Sequence, residues 1–187
     1  TLASNPVPVR LLRGHYHYSL HEALDDPIKV VVLREPVART ISALKHMLSL
    51  GYSSRESIFE SLEQGTLPVP DNHMTRFLSG SLRGPDGILN QESQKALFRG
   101  SIGNPEERLS EAKENLKRID ILGITERMEL MEPALAEFGA KLPVLRVNAS
   151  KISDFDMSER HIETIRNWNK LDILLYDAAM QRLGLER

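Results

Sequence analysis

The chain has 187 residues, of which 41% are hydrophobic, a formal net charge of −2 and no cysteine. This size predicts a single domain over residues 1–187 that buries about 70% of the surface of its unfolded chain. The small charge argues against a nucleic-acid partner, the lack of cysteine excludes disulfides and thiolate metal sites, and no apolar run is long enough to span a membrane.

The first part of the sequence alternates between strand and helix patterns. The run from Ile28 to Leu33 is β-branched and almost continuously apolar, which is typical of a parallel strand covered on both faces. Pro36 suits the first turn of a following helix, and Gly51 suits its end. The sequence predicts strands at 7–12 and 28–33, a helical turn at 19–24 capped by Ser19, and helices at 36–50 and 57–62.

The second part begins with a glycine-rich stretch, residues 80–104, which predicts a long loop. After it come a helix at 105–118, a strand at 120–124, a helix at 126–138, a strand at 142–147 and helices at 158–168 and 170–183. Strands separated by helices predict an α/β fold, with a parallel sheet flanked by helices and a helical C-terminal part.

Basic and hydroxyl side chains cluster where the predicted strand 28–33 meets the predicted helix 36–50. Arg34 follows the strand at its carboxyl end, where open α/β sheets bind ligands. Arg39 and Ser42 are three residues apart, so they share one face of the helix. With the free N–H groups of the helix start, these side chains predict an anion site. An ordinary strand–helix unit with solvated arginines is the alternative interpretation.

The segment Leu33-Arg-Glu-Pro-Val-Ala-Arg-Thr-Ile-Ser42 resembles the 3′-phosphate-binding segment of carbohydrate sulfotransferases, a family that includes heparan sulfate 2-O-sulfotransferases and bacterial relatives. Segments 13–15, 72–80, 112–128 and 169–176 are similar to other parts of the family, in the same order. The resemblance implies a P-loop-kinase-like fold and 3′-phosphoadenosine 5′-phosphosulfate (PAPS) as sulfuryl donor, without a metal. It implies that Arg34 and Ser42 bind the 3′-phosphate, that Arg39 supports them, and that Arg99 also contacts the nucleotide.

One family element is absent from the sequence. The Lys-x-Gly-x-Ser/Thr loop that cradles the 5′-phosphosulfate in the family does not occur in the 187 residues. We therefore expect that an N-terminal strand–loop–helix portion is missing, together with the lysine that neutralises the bridging oxygen. The start of the sequence is not a signal peptide. The expected location is the cytoplasm of a bacterium, or the Golgi lumen for a eukaryotic protein whose anchor has been removed.

Two histidines near the start are candidates for the catalytic base. Gly14-His15 is similar to the Gly-His element that supplies the base in the family, which implies that His15 accepts the proton of the attacking hydroxyl. Histidine suits this role because its ordinary pKa lies near neutral pH. His17 shares a face with His15 if the segment is extended, so it is a second catalytic candidate. The alternative is that both are surface residues. The expected acceptor is a hydroxyl of a saccharide or glycoconjugate.

Two other function classes fit the same region. His15, His17 and His21 form an alternative zinc site, with Glu22 and Asp25 as further ligands. A nucleotide-binding module without catalytic activity is the third interpretation, and it predicts binding without turnover.

Four more polar positions and one aromatic residue have open interpretations. Asn72 and Arg76 are four residues apart on a predicted helical face, which either meets the ligands or is an exposed polar face. Glu126 and Arg127 are expected to form an ion pair or a helix start. Trp168 is expected either in the core or as a substrate platform.

Overall fold

The computed structural model describes residues 14, 17–80, 102–139 and 155–186. Within these ranges the protein is mixed α/β and mostly helical, with a parallel pair of strands. The elements are a 3₁₀ turn Tyr18–Ala23, β1 Val30–Leu33, α1 Pro36–Ser49, α2 Arg55–Glu63, α3 His73–Leu78, α4 Pro105–Lys117, β2 Ile121–Ile124, a 3₁₀ segment Thr125–Met131, α5 Glu132–Glu137, α6 Glu159–Trp168 and α7 Lys170–Arg182.

The two strands run parallel, with Val30 opposite Ile121 and Leu33 opposite Ile124. All four residues of β2 are buried. In β1, Leu33 is buried, but Val30 and Val32 are each 45% exposed. The prediction that this strand is covered on both faces is therefore wrong for the part of the chain that the structure describes. Alternate residues of a strand point to opposite faces, and only the Leu33 face of β1 packs against helices.

Helices α3, α4 and α7 pack with the sheet around a first hydrophobic cluster. Its buried members are Leu33, Met74, Leu78, Ala112, Leu116, Ile119, Leu122, Ile124, Leu175, Tyr176 and Ala179. Each large apolar side chain that is fully buried in this way contributes about 1.5–3 kcal/mol relative to exposure. This cluster fixes the sheet against α7, which carries side chains that reach the candidate site.

Helices α1, α2 and α6 pack around a second hydrophobic cluster. Leu44, Ile58 and Ile165 are fully buried in it, and Trp168 packs at its edge. The indole N–H of Trp168 donates to the carbonyl of Val69 at 3.0 Å. Of the two roles considered for Trp168, the structure therefore supports the one in the core.

Most predicted helices are confirmed to within two residues at each end. Two predictions are wrong in detail. The stretch 126–138 is not one helix, because Arg127 has non-helical angles (φ −142°, ψ 48°) and α5 begins only at Glu132. Pro133 suits the first turn of α5, since proline lacks the N–H that a helix interior requires. The early turn begins at Tyr18 and is capped by His17, not by Ser19.

Several predictions fall outside the described ranges. These are the strands at 7–12 and 142–147 and most of the loop at 80–104. Among the helices of the described ranges, none is long and apolar enough to cross a membrane.

Candidate functional site

The candidate site lies at the turn between β1 and α1. Arg34 leaves β1 at its carboxyl end, and α1 begins two residues later at Pro36. Glu35 is the N-cap of α1, and its carboxylate accepts a hydrogen bond from the Ala38 N–H at 2.6 Å. A carboxylate at this position satisfies a free N–H and complements the helix dipole.

This cap changes one part of the predicted anion site. The sequence predicted that the free N–H groups at the start of α1 would help to bind an anion. The N–H of Ala38 is already bonded to Glu35, which also places a negative charge at the helix start. An anion at this turn would therefore be bound mainly by side chains.

Arg34 and Arg39 are close enough for their charges to interact. The Arg39 guanidinium is largely buried, and its Nε and Nη2 atoms have no hydrogen-bond partner among the described residues. Burial lowers the pKa of Arg39; the negative charge of Asp172 opposes this, and the positive charge of Arg34 adds to it. Neither arginine forms an ion pair with a described carboxylate. Among the described residues, neither cation therefore has a carboxylate at ion-pair distance, although the charge of Asp172 acts on Arg39.

Ser42 lies on α1 three residues after Arg39, as predicted, and is partly buried. Its hydroxyl makes no hydrogen bond to the residues that the structure describes. Thr40 instead accepts a hydrogen bond from the Asn169 side chain at 3.0 Å, which joins α1 to the start of α7. Arg39 and Ser42 are therefore carried by a helix that is fixed in place by a buried polar contact.

The two residues that follow β2 form hydrogen bonds to the backbone immediately before and after Arg34. The Thr125 hydroxyl donates to the carbonyl of Leu33 at 3.0 Å. Glu126 Oε1 accepts from the Glu35 N–H at 3.2 Å, and Glu126 Oε2 accepts from the Tyr176 hydroxyl at 3.1 Å. The sequence signal for this arrangement was a Thr-Glu pair directly after a strand, at the same edge of the sheet as Arg34.

Of the two expectations for Glu126 and Arg127, the helix start is found, because Glu126 lies in the first turn of the 3₁₀ segment, but the ion pair between them does not form. Arg127 pairs instead with Glu129, at 2.6 Å between Nε and Oε1. Because the backbone of Arg127 is non-helical, the side chains of Arg127 and Glu126 point in different directions. Glu126 contacts the β1–α1 turn instead.

His17 is buried, and both of its ring nitrogens are engaged. Nε2 lies 2.7 Å from the Ser79 carbonyl, and Nδ1 accepts from the Ser19 N–H at 3.1 Å. A neutral ring with its proton on Nε2 satisfies both contacts. Burial lowers the pKa of His17, while its hydrogen bond to Ser79 opposes that shift. His17 would have to release Ser19 before it could accept a proton.

Two of the predicted site residues, His15 and Arg99, lie outside the described residues. Their roles as base and nucleotide contact stay predictions, as does the catalytic role of His17.

Asn72 has a structural role that the sequence did not reveal. It has a left-handed backbone (φ 45°), and its side-chain oxygen accepts from the N–H of Leu171 at 2.8 Å and of Asp172 at 3.4 Å. It therefore caps the start of α7. Asparagine is one of the few residues that tolerate this backbone conformation.

Asp172, near the start of α7, in turn caps the start of α3. Its fully buried carboxylate accepts from the N–H groups of Met74 (2.9 Å) and Thr75 (2.7 Å) and from the Thr75 hydroxyl (2.8 Å). Burial raises the pKa of Asp172, and these hydrogen bonds oppose that shift. We call the exchange between Asn72 and Asp172 the reciprocal cap.

Arg76 is buried next to the reciprocal cap. Its Nε donates to the Asp71 carbonyl at 2.8 Å, and its Nη2 pairs with the Asp71 carboxylate. Asn72 and Arg76 therefore do not form an exposed polar face, because both are buried and hydrogen-bonded within the protein.

The alternative zinc site has no support from the two described histidines. His17 uses both ring nitrogens, and Nδ1 of His21 lies 2.7 Å from the Tyr18 carbonyl. In the part of the chain that the structure describes, no group of three His, Asp or Glu residues is arranged to hold a metal ion. His15, the third histidine of that hypothesis, lies outside these ranges.

Comparisons of the chain with protein-family models, curated proteins and solved structures found no match.

Proposed function

We propose that this chain is the core of a sulfotransferase that transfers a sulfuryl group from PAPS to a hydroxyl, with a saccharide or glycoconjugate as acceptor. The observation that carries the proposal is the proximity of two cations, Arg34 at the carboxyl end of β1 and Arg39 on α1, whose charges interact. Neither is paired with an acid among the described residues, and Arg39 has buried donors without acceptors.

Among the described residues, the charge of Asp172 offsets only part of the cost of placing these two cations near each other. Two like charges repel, and a buried charged donor without a partner loses its hydration. A phosphate monoester compensates for both costs, because it carries negative charge and offers several acceptor oxygens to guanidinium donors. The hydroxyl of Ser42 on the Arg39 face of α1 is suited to donate a further hydrogen bond. The 3′-phosphate of PAPS is the monoester that the motif resemblance indicates.

The finer description of the fold is part of the same proposal. The described strands are parallel and the β1–α1 turn carries the candidate site, as a P-loop-kinase-like sheet would require. In this proposal the 5′-phosphosulfate is bound by a loop, with its lysine, that the sequence does not contain.

The proposed reaction is an in-line displacement at sulfur. The acceptor oxygen attacks sulfur while His15 takes its proton, and the bond from sulfur to the bridging oxygen of the 5′-phosphate breaks. Adenosine 3′,5′-bisphosphate leaves with the electron pair of that bond. Binding of the 3′-phosphate by Arg34, Arg39 and Ser42 contributes by holding the donor in line with the acceptor.

Calorimetric titration with adenosine 3′,5′-bisphosphate tests the proposal. Arg34→Ala removes a charge-assisted hydrogen bond and should weaken binding by about 1.5–3 kcal/mol. Arg118→Ala removes the same charge from an exposed position after α4 and should leave the affinity unchanged. Equal affinities of the wild type and Arg34→Ala would contradict the proposal.

A second measurement separates an enzyme from a non-catalytic module. The full-length protein should transfer sulfuryl groups from PAPS to saccharide acceptors. Binding of the bisphosphate without any transfer would favour the non-catalytic module.

A further inference from the structure

The backbone on both sides of Arg34 is held by the residues that follow β2. The Thr125 hydroxyl binds the carbonyl of Leu33, and the Glu126 carboxylate binds the N–H of Glu35. Arg34 lies between these two hydrogen bonds. Its guanidinium therefore extends from a backbone whose position is set by the neighbouring strand.

The Glu126 carboxylate is itself fixed by α7. While Oε1 binds Glu35, Oε2 accepts from the hydroxyl of Tyr176, whose ring is buried in the first hydrophobic cluster. A carboxylate held through both oxygens has little freedom to rotate. Glu35 in turn caps α1 through Ala38, so the same contact also sets where the helix that carries Arg39 begins.

The sign of the charge on Glu126 is informative. A carboxylate near an anion site repels the anion, so the direct electrostatic effect of Glu126 on phosphate binding is unfavourable. If Glu126 helps anion binding, it must therefore do so by a non-electrostatic contribution. Its hydrogen bond to the Glu35 N–H indicates that this contribution is to fix the backbone of the turn.

We infer that Glu126 is a positioning residue for Arg34: held by Tyr176, it fixes the β1–α1 turn in the conformation that directs Arg34 toward an anion. The inference rests on the proposed function, in which that anion is the 3′-phosphate of the donor. Glu126 acts through Arg34 and does not itself contact the nucleotide.

Three substitutions test the inference by titration with adenosine 3′,5′-bisphosphate. Glu126→Ala removes both hydrogen bonds, and we expect roughly tenfold weaker binding. Glu126→Gln keeps an oxygen for the Glu35 N–H and can donate its amide to the Tyr176 oxygen, so its affinity should stay within about twofold of the wild type. Tyr176→Phe releases one carboxylate oxygen and should give an intermediate loss.

A matched control and a double-mutant cycle separate positioning from a general loss of structure. Glu129→Ala removes a carboxylate from the same 3₁₀ segment without touching the turn, and should not change the affinity. In a protein that already carries Arg34→Ala, Glu126→Ala should have a much smaller effect than in the wild type, because the main group that it positions is gone and only its influence on the start of α1 remains. If Glu126→Ala does not fold, the Gln and Phe variants provide the same comparison.

The outcomes distinguish this inference from the proposed function. If Arg34→Ala weakens binding but the Glu126 and Tyr176 variants do not, the positioning role is refuted while the proposed function stands. If Glu126→Ala weakens binding equally with and without Arg34, or if Glu126→Gln loses as much as Glu126→Ala, the positioning role is also refuted. If Arg34→Ala has no effect, the proposed function itself fails.

Discussion

The reciprocal cap joins two helices that are distant in sequence, so its loss should destabilise the whole fold. Asp172 is fully buried and accepts three hydrogen bonds at the start of α3. Asp172→Ala leaves two backbone N–H groups and a hydroxyl without an acceptor. A buried donor without a partner costs about 1–3 kcal/mol, and the Thr75 hydroxyl can rotate to another acceptor. We therefore expect a loss of about 2–5 kcal/mol in the free energy of unfolding, from a total of about 5–15 kcal/mol for a typical domain.

Variants with matched shapes identify the origin of this loss. Asp172→Asn keeps one acceptor oxygen for Thr75 but presents an NH₂ group to the Met74 N–H, so it should be intermediate. Asn72 is the other half of the reciprocal cap. Asn72→Ala loses the cap of α7 and also places alanine in the left-handed region, which asparagine tolerates better. Asn72→Gly loses only the cap, and should therefore be more stable than Asn72→Ala.

Urea denaturation followed by circular dichroism measures these differences. The free energies of unfolding should decrease in the order wild type, Asp172→Asn, Asp172→Ala. If Asp172→Ala lost less than about 1 kcal/mol, the hydrogen bonds at the start of α3 would not be the buried, obligatory contacts that we describe.

Two further predictions concern stability. Because burial lowers the pKa of His17 below its ordinary value of 6.5, the unfolded chain binds a proton more readily than the folded one. The contribution of His17 to the free energy of unfolding should be constant above pH 6.5 and should decrease on acidification through that value. The difference in melting temperature between the wild type and His17→Gln should therefore depend on pH. A constant difference would contradict this. At Gly123, an added Cβ would overlap Sδ of the buried Met131 and lie 2.7 Å from its Cγ. Gly123→Ala should therefore lose about 1–3 kcal/mol in chemical denaturation, and unchanged stability would show that Met131 can move aside.

The sequence predicts those parts of the fold that local chemistry determines. Pro36 and Gly51 bracket α1, and Pro105 with its acidic first turn begins α4, much as predicted. The position of Arg34 at the end of β1 also follows from local pattern, since a buried strand that runs into a proline-initiated helix defines the turn. The mixed α/β character and the parallel pairing of β1 and β2 follow from the order of strands and helices.

Long-range polar contacts were not predictable in the same way. Asn72 and Asp172 are 100 residues apart, and nothing in their local sequence shows that each caps the helix of the other. The spacing of His17 to His15 predicts a catalytic role, but its Nε2 contacts the Ser79 carbonyl, 62 residues away. The local sequence suggests an ion pair of Glu126 with its neighbour Arg127, whereas the backbone at that point directs Glu126 to the β1–α1 turn. In each case the side chain had several possible partners, and only the packing of distant elements selected one.

These long-range contacts converge on one face of α7 and its cap. Asn169, Asp172 and Tyr176 are spaced three and four residues apart, so they lie along a single helical stripe. Asn169 binds Thr40 on α1, Asp172 binds the start of α3, and Tyr176 binds Glu126 beside the Arg34 turn.

A polar stripe on a buried helix face is an expensive way to obtain stability, since apolar side chains of similar volume would avoid the desolvation cost. Each of these three side chains nevertheless has a specific partner on a different element, and two of those elements, α1 and the Glu126 segment, adjoin the paired arginines. The stripe therefore fixes the register of α7 against the turn that carries Arg34 and the helix that carries Arg39. Directional contacts add selectivity to the apolar packing of the first cluster, because a hydrogen bond specifies which atoms meet. On this reasoning α7 fixes the two elements that carry Arg34 and Arg39. The local sequence of Asn169, Asp172 and Tyr176 did not reveal this supporting role.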